Sequence, residues 1–186
     1  MSGWEVAAVL LLVAYLLLAI RQNSLCWPAA IAGSAIYVFL MYGAGLYMES
    51  ALQVFYIAMA VYGWWSWRHG WNENHELPVM NWPLAFHFPV LLLIAVLTCC
   101  SGYLLIHYSE AAFPYMDSFT TWAAIITTWM VARKILQNWH YWLVIDSISV
   151  YLYMSRGLYL TALLFCVYLV LIVIGYRTWK NSMADL

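Results

Sequence analysis

The sequence predicts an all-α membrane protein with seven transmembrane helices, arranged as two three-helix units and one linking helix. Of its 186 residues, 67% are hydrophobic and only 8% are charged, whereas roughly 25% of the residues of a soluble domain are charged. Seven apolar runs are long enough to cross about 30 Å of hydrocarbon. Their residues do not alternate between apolar and polar as the strands of a membrane barrel do, so we predict helices.

The apolar runs and the longest polar linker divide the chain into three parts. The predicted parts are a first three-helix unit at 1–67, a cytoplasmic linker and linking fourth helix at 68–112, and a second three-helix unit at 113–186. The seven runs are Trp4–Ile20, Cys26–Gly45, Ser50–Trp67, Phe86–His107, Phe113–Val131, Trp139–Met154 and Gly157–Tyr176.

Two motifs occur once in each three-helix unit. NSLCW at Asn23–Trp27 matches NWHYW at Asn138–Trp142, which lies 115 positions later. YGWWSW at Tyr62–Trp67 matches IGYRTW at Ile174–Trp179, which lies 112 positions later, so a gap of three is expected inside the second helix pair. Because a single helix links the units, both have the same orientation. Transporters use such parallel repeats, with the substrate site near the midplane where the repeats meet.

Basic residues predict the orientation of the helices. In the seven-span arrangement, one side of the membrane has a single basic residue, Arg156, together with the acidic residues Glu49, Glu110 and Asp117. Basic residues are enriched on the cytoplasmic side of membrane proteins, so we predict a cytoplasmic C-terminus and an external N-terminus. The basic residues that follow the first, third, fifth and seventh runs all fall on the other side: Arg21, Arg68, Arg133, Lys134, Arg177 and Lys180.

The sixth run carries a polar and aromatic helix face. An ionisable group at membrane depth costs at least about 2.5 kcal/mol, so it is a candidate functional residue. A carboxylate among indole rings suits a flat organic cation, which it can neutralise while the rings stack on it. The alternative is an aspartate that only bonds a neighbouring helix. The face comprises Trp139, Trp142, Asp146, Ser149 and Tyr153, spaced by three or four positions, with Asn138 at its head.

Two other runs offer candidate substrate contacts. Gln53, Tyr56 and Trp64 follow helical spacing in the third run, and the amide of Gln53 can both donate and accept hydrogen bonds. The alternative is that Gln53 only connects two helices. Trp122 in the fifth run is a further candidate, with packing or anchoring at the membrane interface as the alternative.

Several function classes lack the residues they need. The five histidines do not cluster, so no metal site is predicted, and no cofactor motif is present. The net charge of −1 gives no basic face for nucleic acid. No phosphate-binding loop or nucleophile elbow occurs, so we do not expect an enzyme. A lipid-modifying membrane enzyme and a non-catalytic membrane subunit or sensor remain the alternatives from other classes.

Three spans and one loop resemble the Pnu family of bacterial vitamin transporters. The resemblance implies homotrimers of a 3+1+3 helix arrangement similar in plan to the SWEET transporters. It also implies the bacterial inner membrane, facilitated diffusion without a coupling ion, and an intracellular kinase that traps the substrate. The substrate residues of the family carry over onto Gln53, Asn138, Trp139 and Trp142. The matching stretches are ALQVFYIAMAVYGWWSW, NWHYWLVIDSISVYLY, GLYLTALL with GYRTWKNS, and AFPYMDS.

The resemblance leaves two cationic vitamins as substrates. Family members that transport nicotinamide riboside have an asparagine just before the YGW motif, and Val61 is taken to stand there in AVYGW. A site that lacks a polar group recognises a hydrogen-bonding substrate less well. The sequence therefore favours thiamine, with nicotinamide riboside as the alternative.

Overall fold

The computed structural model describes residues 3–43, 47–69, 77–108, 113–155, 157 and 159–184. Over these ranges the chain is all-helical, as predicted. By length and composition, α1, α2, α4 and Thr161–Met183 within α7 are able to cross a membrane. The seven helices of the described ranges are α1 (Gly3–Ile20), α2 (Cys26–Gly43), α3 (Tyr47–Arg68), α4 (Leu84–Tyr108), α5 (Pro114–Ala132), α6 (Asn138–Ser155) and α7 (Tyr159–Ala184).

The helix ends agree with the apolar runs to within three residues, except at the end of α7. This helix continues to Ala184, although its apolar run ends at Tyr176. The extra turns are stabilised by Trp179, which is fully buried and whose Nε1 donates a hydrogen bond to the carbonyl of Ala19 at 3.0 Å. Among the charges that predict orientation, Glu110, Arg156 and the side chain of Glu49 lie outside the described residues.

The chain forms two compact units. Unit 1 comprises Met1–Val79, Ala132–Lys134 and Arg177–Leu186, and unit 2 comprises Met80–Val131 and Ile135–Tyr176. This grouping by contacts is a different division from the predicted units at 1–67, 68–112 and 113–186, which stay a prediction.

In unit 1, α2 packs between α1 and α3. Small residues allow this close approach. Gly33 faces Leu12 of α1, and Gly63 of α3 lies directly beneath the indole ring of Trp27. A Cβ atom at Gly63 would fall less than 3.0 Å from that ring, so only glycine fits there.

In unit 2, α4, α5 and α6 share a hydrophobic cluster formed by Ile94, Ala123 and Ile145, which we call the α4–α6 core. The indole of Trp139 on α6 lies against Gly175 of α7, and here too a Cβ atom would fall less than 3.0 Å from the ring. Both of these contacts involve α6, which carries the predicted site face.

The same turn precedes α2 and α6. Gln22 has a φ of 55° and Lys134 a φ of 49°. Such left-handed residues commonly end helices. In each turn the next backbone N–H donates to a carbonyl five positions earlier at 3.0 Å. Both helices then run for 18 residues from starts that lie 112 positions apart.

A constant offset of 112 also relates the two indole–glycine contacts, because Trp27 on Gly63 corresponds to Trp139 on Gly175. The alignment of Trp27 with Trp142, and with it the gap of three, was therefore wrong. The N-x-x-x-W similarity misled because Asn138 corresponds to the buried Cys26 rather than to Asn23. The equivalent tryptophans are Trp27 and Trp139, because each of them covers a glycine.

Candidate functional site

The predicted face of α6 is mostly buried. Trp139, Asp146 and Ser149 are buried, as is Asn138, while Trp142 and Tyr153 are half-buried. The three- and four-residue spacing thus places the polar side chains on the side of α6 that faces protein. Their function as substrate contacts stays a prediction.

Asn138 begins α6 and is 0% exposed. Its Nδ2 donates a hydrogen bond to the carbonyl of Ile135 at 2.7 Å, which ties the side chain to the preceding turn. Its Oδ1 is buried and accepts no hydrogen bond from any described residue. Leaving such an oxygen unpaired costs about 1–3 kcal/mol, so a ligand N–H or O–H that reached it would regain that free energy.

Asp146 is 5% exposed, and no described residue donates a hydrogen bond to its carboxylate. Ser149, one turn away, donates instead to the carbonyl of Ile145 at 2.9 Å. The alternative of an aspartate that bonds a neighbouring helix thus has no support within the described ranges. An ionisable side chain in a membrane helix that faces protein is a candidate for ligand charge compensation.

The aromatic side chains of the same face all have packing contacts in unit 2. Trp139 covers Gly175, and Trp142 packs against the α4–α6 core. The ring of Tyr153 lies 5.1 Å from that of Phe165 on α7, between centroids. These rings therefore support the helix packing whether or not a substrate stacks on them.

Trp122 connects α5 to α4. Its Nε1 donates a hydrogen bond to Oγ of Ser101 at 3.0 Å, and this hydroxyl donates in turn to the carbonyl of Leu97 at 2.7 Å. Because its polar atom is already used, the packing alternative accounts for Trp122 better than a substrate contact does.

Replacing Trp122 by Phe tests this assignment. We expect the variant to lose about 1 kcal/mol of stability, the usual net value of one hydrogen bond, and to retain uptake. A double-mutant cycle with Ser101→Ala, measured by thermal unfolding, should show a coupling of similar size. A large loss of uptake at unchanged stability would instead place Trp122 in the substrate site.

The candidates on α3 belong to unit 1. Gln53 and Tyr56 are half-buried. Trp64 is half-buried, and its enclosed Nε1 has no hydrogen-bond partner among the described residues. The guanidinium of Arg68 lies over the Trp64 ring, 5.1 Å from the centroid. A cation thus already occupies one face of this indole.

Sequence reasoning missed a groove in unit 2. Its volume is about 460 Å³, within the range of small-molecule pockets. Nδ1 of His87 and the hydroxyl of Tyr141 lie 3.0 Å apart beside it. None of the nine predicted substrate residues lines the groove. The lining is largely apolar, and in a sequence such residues look like those of any lipid-facing helix, so no signal marked the groove. The lining residues are Leu84, His87, Leu91, Ile94, Phe119, Ala123, Gln137, His140, Tyr141, Val144 and Ile145.

The family model described as nicotinamide mononucleotide transporter matches residues 2–181. The chain belongs to this family. It is the Pnu family that the motifs resemble, so the protein is a multi-pass membrane transporter for a vitamin. The crystal structure of the vitamin B3 transporter PnuC superposes with a TM-score of 0.75 at 18% identity, covering 98% of this chain and 82% of the other. This likeness establishes the shared fold.

The names of two related proteins state what they transport. The nicotinamide riboside transporter PnuC of Escherichia coli K12 is 29% identical over an alignment of length 162, which covers 74% of this chain and 68% of the relative. The riboflavin/roseoflavin transporter RibM of Streptomyces davaonensis is 24% identical over 167 residues, which are 88% of this chain and 78% of the relative.

These relatives favour the alternative substrate over thiamine. Neither of them transports thiamine by name, so the thiamine prediction has no support from them. The argument from Val61 also fails in the structure, because Val61 is 53% exposed whereas the nearby Ala60 and Gly63 are buried. A side chain on the exposed side of α3 says nothing about the polarity of a buried site.

Proposed function

We propose that this protein takes up nicotinamide riboside by facilitated diffusion. The observation that carries the proposal is the buried Oδ1 of Asn138, which has no hydrogen-bond partner among the described residues. In a chain of this transporter family, an unsatisfied acceptor at the head of a membrane helix suits a substrate with amide or hydroxyl donors. Nicotinamide riboside has both, in its carboxamide and its ribose.

The proposed contacts assign one chemical task to each group. Asn138 accepts a hydrogen bond from the substrate, and Gln53 can donate and accept. The Asp146 carboxylate offsets the positive charge of the pyridinium ring. The indoles and phenols supply flat surfaces for stacking and cation–π attraction. The predicted substrate residues are Gln53, Tyr56, Trp64, Trp122, Asn138, Trp139, Trp142, Asp146 and Tyr153. The hydrogen bond from Trp122 to Ser101 favours a packing role for Trp122, so the proposed contacts are the other eight.

We further propose seven crossings in a 3+1+3 parallel repeat, with the N-terminus outside and the C-terminus in the cytoplasm of a bacterial inner membrane. Contacts within unit 1 support this topology. Gln22 donates to the hydroxyl of Ser182 at 2.7 Å, and Trp179 bonds the carbonyl of Ala19. The C-terminal ends of α1 and α7 therefore lie together, as the first and last of seven helices should. The constant offset of 112 supports the repeat.

Homotrimers and uptake without a coupling ion are also proposed from the family resemblance. One isolated carboxylate, Asp146, is a poor proton relay, which favours diffusion down a gradient. An intracellular kinase that phosphorylates the vitamin would then keep the gradient inward by removing the free substrate.

Uptake by the purified protein in liposomes tests the substrate directly. We expect labelled nicotinamide riboside to equilibrate across the membrane without an ion gradient, and unlabelled nicotinamide riboside to compete. Thiamine and riboflavin should compete at least about tenfold less well, a difference of about 1.4 kcal/mol in binding. Empty liposomes serve as the control.

The alternative outcomes are informative. Preferential uptake of riboflavin would assign this chain the substrate named for the Streptomyces relative. Preferential uptake of thiamine would restore the sequence-based prediction. Accumulation above the external concentration, driven by a proton or sodium gradient, would overturn facilitated diffusion.

A further inference from the structure

Unit 1 contains a small polar pocket where α1 and α3 end and α2 begins. Its volume is about 220 Å³. The pocket is lined by Gln22, Ser24, Trp67, Arg68 and Lys134. None of these residues belongs to the proposed vitamin site.

A buried lysine dominates the charge of the pocket. Lys134 is only 2% exposed, and its Nζ lies 4.7 Å from the centroid of the Trp67 ring. A buried ammonium group needs contacts that compensate for its lost hydration, and the cation–π contact with this indole is one of them. Arg68 also lines the pocket and adds a second positive charge, and no carboxylate of the described residues lines it.

The start of α2 adds to the positive potential. Ser24 lines the pocket just before α2 begins at Cys26, and the side chain of Asn23 accepts a hydrogen bond from the backbone N–H of Leu25 at 2.9 Å. The N-terminus of an 18-residue helix carries a partial positive charge and favours anions. Ser24, which lines the pocket, has a hydroxyl group that is an uncharged donor.

We propose that this pocket binds the anionic phosphate group of a phosphate ester. Lysine and arginine side chains together with a helix N-terminus are the groups that proteins use for phosphate. The ester is either the headgroup of an anionic phospholipid or a soluble phosphorylated metabolite. The proposal does not depend on which vitamin is transported, because it concerns other residues and its test measures binding.

The test uses the full-length protein in phosphatidylcholine nanodiscs. Thermal unfolding is measured in glycerol 3-phosphate, in inorganic phosphate and in chloride at equal ionic strength and pH. A second arm compares nanodiscs that contain phosphatidylglycerol. We expect the phosphate ester, in one arm or the other, to raise the Tm, because a ligand that binds only the folded state stabilises it.

Variants then locate the effect. Arg68→Gln is expected to weaken binding roughly tenfold or more, whereas Arg177→Gln removes an equal charge from an exposed position outside the pocket and should leave binding intact. Lys134→Gln should abolish binding. If that buried substitution does not fold, Arg68→Gln decides.

The two arms separate the sources of phosphate. A shift with glycerol 3-phosphate in neutral nanodiscs assigns a soluble ester, and a shift only with phosphatidylglycerol assigns a lipid headgroup. The proposal is overturned if neither arm differs from chloride, or if Arg177→Gln reduces the shift as much as Arg68→Gln does.

Discussion

Replacing Gly175 by Ala is expected to lower the Tm and to abolish uptake. The added Cβ would fall less than 3.0 Å from the Trp139 ring, so the ring or helix α7 must shift. Overpacking of this kind typically costs 1–3 kcal/mol, equivalent to a decrease in Tm of about 3–10 °C for a chain of this size. Because Trp139 follows Asn138 directly, the displacement also moves the predicted substrate face. Thermal unfolding and liposome uptake measure the two effects.

The sign of the change in Tm in Gly175→Ala identifies its cause. Alanine is intrinsically better than glycine inside a helix by about 0.5–1 kcal/mol, so a lower Tm must come from the contact with the ring. Gly43→Ala, at the last residue of α2, is the control for the added methyl group, because no atom lies within 4 Å of its Cβ, and it should be nearly neutral. Combining Gly175→Ala with Trp139→Leu should recover part of the Tm. An unchanged Tm in Gly175→Ala would contradict the packing described for α6 and α7.

Replacing Asp146 by Asn is expected to weaken the binding of nicotinamide riboside at least about tenfold, or about 1.4 kcal/mol. The substitution keeps the shape of the side chain and removes its charge. Charge interactions are strong at buried sites because the surroundings screen them poorly. The comparison ligand is dihydronicotinamide riboside, which has nearly the same shape but an uncharged ring. Its binding should change little, and titration calorimetry measures both ligands.

Asp117→Asn is the matched control for the removed charge. Asp117 lies in the first turn of α5 and is not among the proposed substrate residues. Its replacement should leave the affinity for both ligands unchanged. Equal losses for the charged and the uncharged ligand in Asp146→Asn would show that the aspartate supports the fold rather than the substrate charge.

Much of the helical framework followed from local sequence. Apolar runs predicted all seven helices of the described ranges, because hydrocarbon requires continuous apolar segments with internal backbone hydrogen bonds. Helical spacing placed Trp139, Asp146 and Ser149 on one side of α6, and the structure buries that side. The motifs of the third, sixth and seventh runs also predicted the family that the comparisons establish.

The sequence alone thus determined the fold class, the family and the polar face of α6, because each depends on residues close together in the chain. Tertiary structure decided which tryptophan covers a glycine, which aromatic rings serve packing, and that Lys134 enters a polar pocket beside Trp67 and Arg68. These outcomes depend on contacts between residues far apart in sequence. A periodic pattern specifies which face of a helix is buried, but only packing specifies what that face meets.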